Sequence, residues 1–232
     1  MQNQLPPCLI MAGGRGSRLG SITKKTPKPI IKINNKPFLY FLIKWLQKNG
    51  FKKFYFLTSY KNKKIEKFLK QYFIDNSCKY KIFIDKKRSG TFPALLNHIS
   101  KIENSFFYTN ADEISNFNIK KKFFEFKASN TDIMCSVIKS KKGRLSINKK
   151  DSLISPQKNN KLTFMDCGYK FINKKIFKNL KKNIKFEKIE DFIYSHFIFK
   201  NKKVSFFELK NLPLRIDTTF DIKRTKKFLL NV

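Results

Sequence analysis

Residues 11–29 read MAGGRGSRLGSITKKTPKP. An apolar run, Cys8 to Ala12, precedes them after Pro6-Pro7 and has the pattern of the first strand of an α/β domain. Gly13, Gly14 and Gly16 permit a tight turn whose exposed N–H groups can converge on an anion. Arg15, Arg18, Lys24, Lys25 and Lys28 follow with no acidic residue among them, and the first acidic residue of the chain is Glu66. A glycine turn, an Arg and a Lys between prolines suit a polyphosphate, so the loop reads as a nucleoside-triphosphate cradle. The dinucleotide fingerprint G-x-G-x-x-G fails because Leu19 stands where its third glycine belongs, and the acidic ribose ligand about 20 positions on is missing. The P-loop fails because no G-K-[ST] follows the glycines. A turn that merely joins strand to helix leaves the cluster of Arg and Lys unexplained.

Working outward, helix and strand signals alternate, which predicts α/β architecture with a mainly parallel sheet. Helices are expected from Pro37 to Asn49 and around Ile65, Phe68, Leu69, Tyr72 and Phe73, whose spacing makes one apolar face. Further helices are expected over Pro93–Ile102, Ile189–Phe199 and from Thr218 or Thr219 to Leu230. Strands are expected at Lys53–Thr58, Lys81–Asp85, Ser105–Thr109, Thr131–Ile138 and Val204–Leu209, with short strand-like pieces up to Phe171. The lysine runs at Lys61–Lys64, Lys120–Lys122 and Lys139–Lys142 read as solvated faces or turns. Ser105–Thr109 ends at Asn110-Ala111-Asp112, and ligands of open α/β sheets bind beyond the carboxyl ends of strands. Asp112 is therefore expected to share a crevice with the glycine loop.

The 232 residues fit one domain, 1–232, large enough for a doubly wound sheet with helices on both faces. No run of 18 apolar residues predicts a membrane span, and the start MQNQLPPCLIMAGG lacks the basic and apolar regions of a signal peptide. Cys8, Cys78, Cys135 and Cys167 have no C-x-x-C spacing and read as reduced cysteines of a cytoplasmic protein. The formal charge of +35 suggests polyanion binding, yet 26 Phe accompany the abundant Lys, Asn and Ile. Nucleic-acid binding does not demand so much Phe. Compositional drift of an A/T-rich genome explains all four residue types together, and nonspecific adhesion to polyanions follows from the charge either way.

Gly13-Gly14-x-Gly16-Ser17-Arg18-Leu19, Thr23, Pro27-Lys28-Pro29 and Lys36-Pro37 together resemble the signature of the sugar-1-phosphate nucleotidyltransferases. The short chain is most similar to the branch holding heptose-1-phosphate guanylyltransferases. The resemblance implies a nucleotidyltransferase-type, Rossmann-like fold. It implies nucleotide binding by Ala12, Gly13, Gly14, Gly16, Ser17, Arg18, Gly90 and Thr91, with Arg18 and Lys28 as catalytic cations. It further implies Mg²⁺ on Asp112 and Asp217, and a sugar site including Asp166, Gly168 and Lys158. Asp221, one helical turn beyond Asp217, is expected to serve the start of a helix.

Three departures stand out. Phe92-Pro93 replaces the small residues usual after Gly-Thr, which is expected to narrow the pocket or change what fits. Asp166-Cys167-Gly168-Tyr169 stands for Asn-x-Gly-[Ile/Tyr], and Gln157-Lys158 stands for a Glu-Lys pair. The implied reaction moves a nucleoside monophosphate from an NTP, GTP in the nearest branch, to a heptose or similar sugar 1-phosphate, releasing pyrophosphate for surface-glycan synthesis. Its partners are thus an NTP and a sugar phosphate, and a homo-oligomer is compatible with the sequence. The rival readings are a cytidylyltransferase for another small phosphorylated acceptor, a basic nucleic-acid-binding protein and a catalytically silent homologue.

Overall fold

The computed structural model describes residues 4–87, 89–150, 152–156, 163–178, 180 and 186–229. In chain order the strands are β1 (Cys8–Ala12), β2 (Lys32–Ile33), β3 (Lys36–Pro37), β4 (Lys53–Thr58), β5 (Lys79–Ile84), β6 (Ser105–Asn110) and β7 (Glu113–Ile114). They continue with β8 (Ile133–Lys139), β9 (Leu145–Asn148), β10 (Leu153–Pro156), β11 (Phe164–Asn173), β12 (Ser205–Glu208) and β13 (Leu214–Arg215). The α-helices are α1 (Ser21–Lys25), α2 (Phe38–Lys48), α3 (Asn62–Tyr72), α4 (Thr91–His98), α5 (Ile119–Ala128), α6 (Ile189–His196) and α7 (Thr219–Phe228). The chain gathers into two compact units. One comprises Met1–Arg88, Thr109–Asn116 and Pro213–Val232, the other Ser89–Tyr108 and Phe117–Leu212.

In the first unit β1 and β5 flank β4, all parallel, with Ala12 opposite Thr58 and Thr58 opposite Ile84. β1 is buried along its whole length, which is why it reads as a continuous apolar run and not an alternating one. Phe38, Leu39, Leu42, Ile43 and Leu46 form the buried stripe of α2, and Ile65 and Leu69 that of α3. Phe73 closes the end of α3 by stacking on Tyr80 of β5 at 4.5 Å between ring centres. The N–H of Ala111, just past β6, bonds to the Met11 carbonyl at 3.0 Å and so sets the following residue, Asp112, beyond the carboxyl end of β1.

The second unit orders its strands β6-β11-β8-β12-β10-β9. Here the expected parallel pattern holds only for β12 against β8, because the ten-residue β11 runs antiparallel to both β6 and β8, and β9–β10 is a hairpin. The short connection from β9 to β10 permits antiparallel neighbours only. α5 was not among the expected helices. Its apolar residues Ile119, Phe123 and Phe126 are buried at helical spacing, Asn118 caps it by accepting the Lys121 N–H at 2.9 Å, and the lysine run 120–122 lies within its first turns. Among the described residues no helix is long and apolar enough to cross a membrane.

Candidate active site

The glycine loop leaves β1 at Gly13 and turns at Gly16, whose backbone lies in the left-handed region at φ +66°. A Cβ on Gly16 would come within 3.1 Å of the Thr23 side chain and 3.2 Å of the Lys28 Cβ. Glycine is thus required twice over, by backbone angle and by space. Thr23 is buried and its hydroxyl donates to the Gly16 carbonyl at 3.1 Å, locking the loop onto α1. Gly14, Arg15, Ser17 and Arg18 remain exposed on the loop's outer surface. Lys61 and Lys64 of the α3 region donate their ammonium groups to the carbonyls of Lys24 and Lys25, so these lysines serve the end of α1.

Lys28 lies in a 3-10 turn with Pro27 before it and Pro29 after it, and only 7% of it is exposed. Its Nζ bonds Asp112 Oδ2 and Asp217 Oδ1, the latter at 2.5 Å. Arg18 reaches the same Asp217 oxygen at 2.8 Å. Four residues implied by the resemblance are thereby in one cluster: two carboxylates, a buried ammonium and an exposed guanidinium. Burial pushes the Asp217 carboxyl up, but the Lys28 hydrogen bond and the charges of Lys28, Arg18 and Arg215 hold it below the usual carboxylate range.

A small antiparallel ribbon brings the two aspartates together from distant parts of the chain. Ile114 of β7 faces Leu214 of β13, Glu113 faces Arg215, and the Ile216 N–H reaches the Asp112 carbonyl at 3.3 Å. The ribbon is pinned by charge. Glu113 is 2% exposed and accepts from Arg215 Nε at 3.1 Å and from Asn110 Nδ2 at 3.0 Å. Sequence reading did not single out Glu113 or Arg215; their signal was the opposite charges in Glu113-Ile114 and Leu214-Arg215. Asp221 forms a capping box with Thr218 at the start of α7, as its position one turn on predicts.

Because the folded pKa of Asp217 is depressed, its ionised form contributes stability that is present above the unfolded carboxylate pKa of about 4. That contribution is lost as pH falls through the lower folded value. Urea midpoints of wild type and Asp217→Asn, measured from pH 7 downward, should therefore converge below about pH 4. A difference constant across that range would remove the stabilising role of the carboxylate.

The described residues hold no group of three or more His, Cys, Asp and Glu suited to a metal. The donor set nonetheless fits Mg²⁺, which takes only one or two carboxylates and completes its shell with phosphate and water. Asp112 and Asp217 supply two hard oxygen donors that already converge on one cation, the Lys28 ammonium.

The other expected residues lie in the second unit. Gly90 caps α4 at φ +103°, and a Cβ there would fall 2.5 Å from the Glu187 carbonyl oxygen. The Thr91 hydroxyl accepts the Ile189 N–H at 3.2 Å, joining this loop to the start of α6. Phe92 is 1% exposed and stacks on Phe192 at 4.5 Å, with Phe177 and Phe186 alongside. Its bulk fills an aromatic core.

Asp166 and Gly168 lie on β11 where it bulges against β8, the register jumping from Asp166 opposite Val137 to Lys170 opposite Cys135. The Ser136 hydroxyl fills the broken ladder, 2.9 Å from the carbonyl oxygens of both Cys167 and Tyr169. The fully buried Lys170 donates to Asp166 Oδ1 at 2.8 Å, Glu190 Oε1 at 3.2 Å and the Cys167 carbonyl at 3.3 Å. Burial alone lowers the Lys170 pKa, but the facing carboxylates outweigh it and hold the group charged. The charge at Asp166 is thus balanced inside the fold. Lys170 and Glu190 were not foreseen, although Asp166 and Lys170 are on one side of a strand by their even spacing. Lys158 and Gln157 lie outside the described residues.

The nucleotidyl transferase family matches residues 8–146. D-glycero-α-D-manno-heptose 1-phosphate guanylyltransferase of Campylobacter jejuni subsp. jejuni is 29% identical over 82% of this chain and 85% of its own length. A probable glucose-1-phosphate cytidylyltransferase of Bacillus subtilis is 38% identical over 31% of this chain and 27% of its own. Among solved structures, HddC from Yersinia pseudotuberculosis complexed with GMP-PN superposes with a TM-score of 0.79 at 25% identity, covering 97% of this chain and all of that one. A glycine loop, a proline-flanked lysine and two converging aspartates lie within a chain whose first three-fifths match one family; this protein belongs to the nucleotidyl transferase family.

Proposed function

We propose that this enzyme transfers a guanylyl group from GTP to a heptose 1-phosphate, forming a GDP-sugar and pyrophosphate for surface-glycan synthesis in the cytoplasm. The carrying observation is the cluster of Lys28, Asp112, Asp217 and Arg18 beside the glycine loop. Similarity to the heptose-1-phosphate guanylyltransferase over most of the chain supports the choice of substrate. In the reaction a phosphate oxygen of the sugar phosphate bonds to the α-phosphorus, and the bond from that phosphorus to the bridging oxygen of the leaving pyrophosphate breaks. The attacking oxygen is already ionised near neutral pH, so no general base is needed. The difficulty is the approach of one anion to another. Arg18 and Lys28 would bind phosphate oxygens, neutralise the charge that shifts to pyrophosphate and hold the groups in line. Asp112 and Asp217 would hold Mg²⁺, which supplies further charge neutralisation at the triphosphate. Loop residues 12–18 would wrap the nucleotide; the family resemblance assigns Gly90 and Thr91 to the nucleotide as well, and Asp166, Gly168 and Lys158 to the sugar.

The similarity of part of the chain to a cytidylyltransferase favours CTP as the second reading. An equimolar mixture of GTP and CTP with heptose 1-phosphate and Mg²⁺ separates the two by mass spectrometry of the nucleotide-sugar formed. GDP-heptose is the expected product, and CDP-heptose in excess would overturn the choice of base.

The charge of +35 predicts DNA binding that ignores sequence and falls steeply with salt through counterion release. Fluorescence anisotropy with two unrelated duplexes at rising salt should give equal affinities and the same steep slope. A site selective for one duplex and persisting at about 0.15 M salt would instead favour nucleic-acid recognition.

A further inference from the structure

We infer that Lys28 is an internal counter-ion that keeps a divalent cation out of the site until a triphosphate arrives. This rests on the metal-assisted transfer proposed above. The Lys28 ammonium bonds one oxygen of each aspartate, the pair of donors that a divalent cation would use. An ammonium and a divalent ion cannot both sit at contact distance from the same two oxygens, since like charges a few ångström apart repel strongly. The cluster is also balanced: Asp112 and Asp217 carry two negative charges, Lys28 and Arg18 two positive ones. A free divalent cation thus meets no net negative charge there.

The lysine is built to redirect only its tip. Prolines on both sides fix its backbone, and its stem packs so closely on Gly16 that a Cβ there would lie 3.2 Å from its Cβ and 3.3 Å from its Cδ. The terminal ammonium has a second destination once phosphate oxygens enter the adjacent loop. Movement of Lys28 and Arg18 onto the triphosphate releases both carboxylates together. Metal and nucleotide then promote each other's binding, a coupling that is reciprocal by linkage. Lys28 thereby acts twice, as phosphate ligand and as the group that makes metal binding conditional.

The test is Mn²⁺ binding to nucleotide-free protein, followed by electron paramagnetic resonance of free Mn²⁺. Lys28→Gln should bind one Mn²⁺ about tenfold or more tighter than wild type, because a competing unit charge is gone. Adding Asp112→Asn to that variant should erase the gain. In wild type, Mn²⁺ alone should not raise Tm beyond an ionic-strength control, whereas Mn²⁺ with GTP should raise it above GTP in EDTA. Those wild-type scans decide the matter should Lys28→Gln fail to fold. Equal or weaker Mn²⁺ binding by a folded Lys28→Gln overturns the inference. So does tight Mn²⁺ binding by nucleotide-free wild type that Asp112→Asn abolishes. Pyrophosphate release by wild type with GTP, heptose 1-phosphate and Mg²⁺ distinguishes the two levels: an active enzyme without the Lys28→Gln gain loses only this inference. An enzyme inactive with every NTP loses the underlying reading and the inference with it.

Discussion

Lys28→Ala is expected to lower kcat/KM by about 2–4 kcal/mol of transition-state stabilisation, a loss of roughly 30- to 1,000-fold. The ammonium is a charged donor in a largely buried position, and such groups act more strongly there than in water. The fold should survive. The Asp112 and Asp217 side chains keep 29% and 17% of their exposure, and Arg18 still pairs with Asp217. Far-UV circular dichroism establishes folding, and initial rates of pyrophosphate release give the kinetic loss. A folded variant with near-normal kcat/KM removes Lys28 from the chemistry.

The second large effect concerns the aspartate pair. Asp112→Asn and Asp217→Asn should each cost about 2–4 kcal/mol in the transition state and raise the Mg²⁺ concentration needed for half-maximal rate. The double variant should lose far less than the sum of the two, because residues that act through one ion do not contribute independently. Asp221→Asn is the control. Its carboxylate serves the capping box of α7, so its loss should cost about 0.3–1 kcal/mol of stability and leave metal dependence alone. Additive losses would assign the two carboxylates separate tasks. Wild-type metal dependence in both single variants would sink the shared site.

Much of the first unit was legible because local chemistry decides it. The buried strand before the loop, the glycines, the proline-flanked lysine and the apolar faces of α2 and α3 each leave a sequence signal that few other conformations satisfy. Asp112 could be expected from its strand end and Asp217 from the family resemblance, but the ribbon that brings them together could not. β7 and β13 are two residues each, too short for any periodicity, and their register is set by the Glu113–Arg215 pair and by the Asn110 bond to Glu113. In the second unit the lysine run 120–122 drew attention away from the buried Ile119, Phe123 and Phe126 of α5. Phe92 was read against a pocket, yet its partners Phe177, Phe186 and Phe192 come from distant segments that a linear pattern cannot pair with it. Lys170 was obscured in the same way. A lysine among apolar residues suggests exposure, and only the bulge of β11 and the start of α6 supply the carboxylates that make its burial tolerable.

The most direct measurement is pyrophosphate release by wild type and Lys28→Ala, with Mg²⁺ or EDTA, across ATP, CTP, GTP, UTP and dTTP, each paired with a panel of sugar 1-phosphates. The predicted result is release that requires both substrates and Mg²⁺, is fastest with GTP and heptose 1-phosphate, and falls roughly 30- to 1,000-fold in Lys28→Ala. Absence of pyrophosphate from wild type with every pair, or release indifferent to Lys28, would contradict the assignment of nucleotidyl transfer to this site.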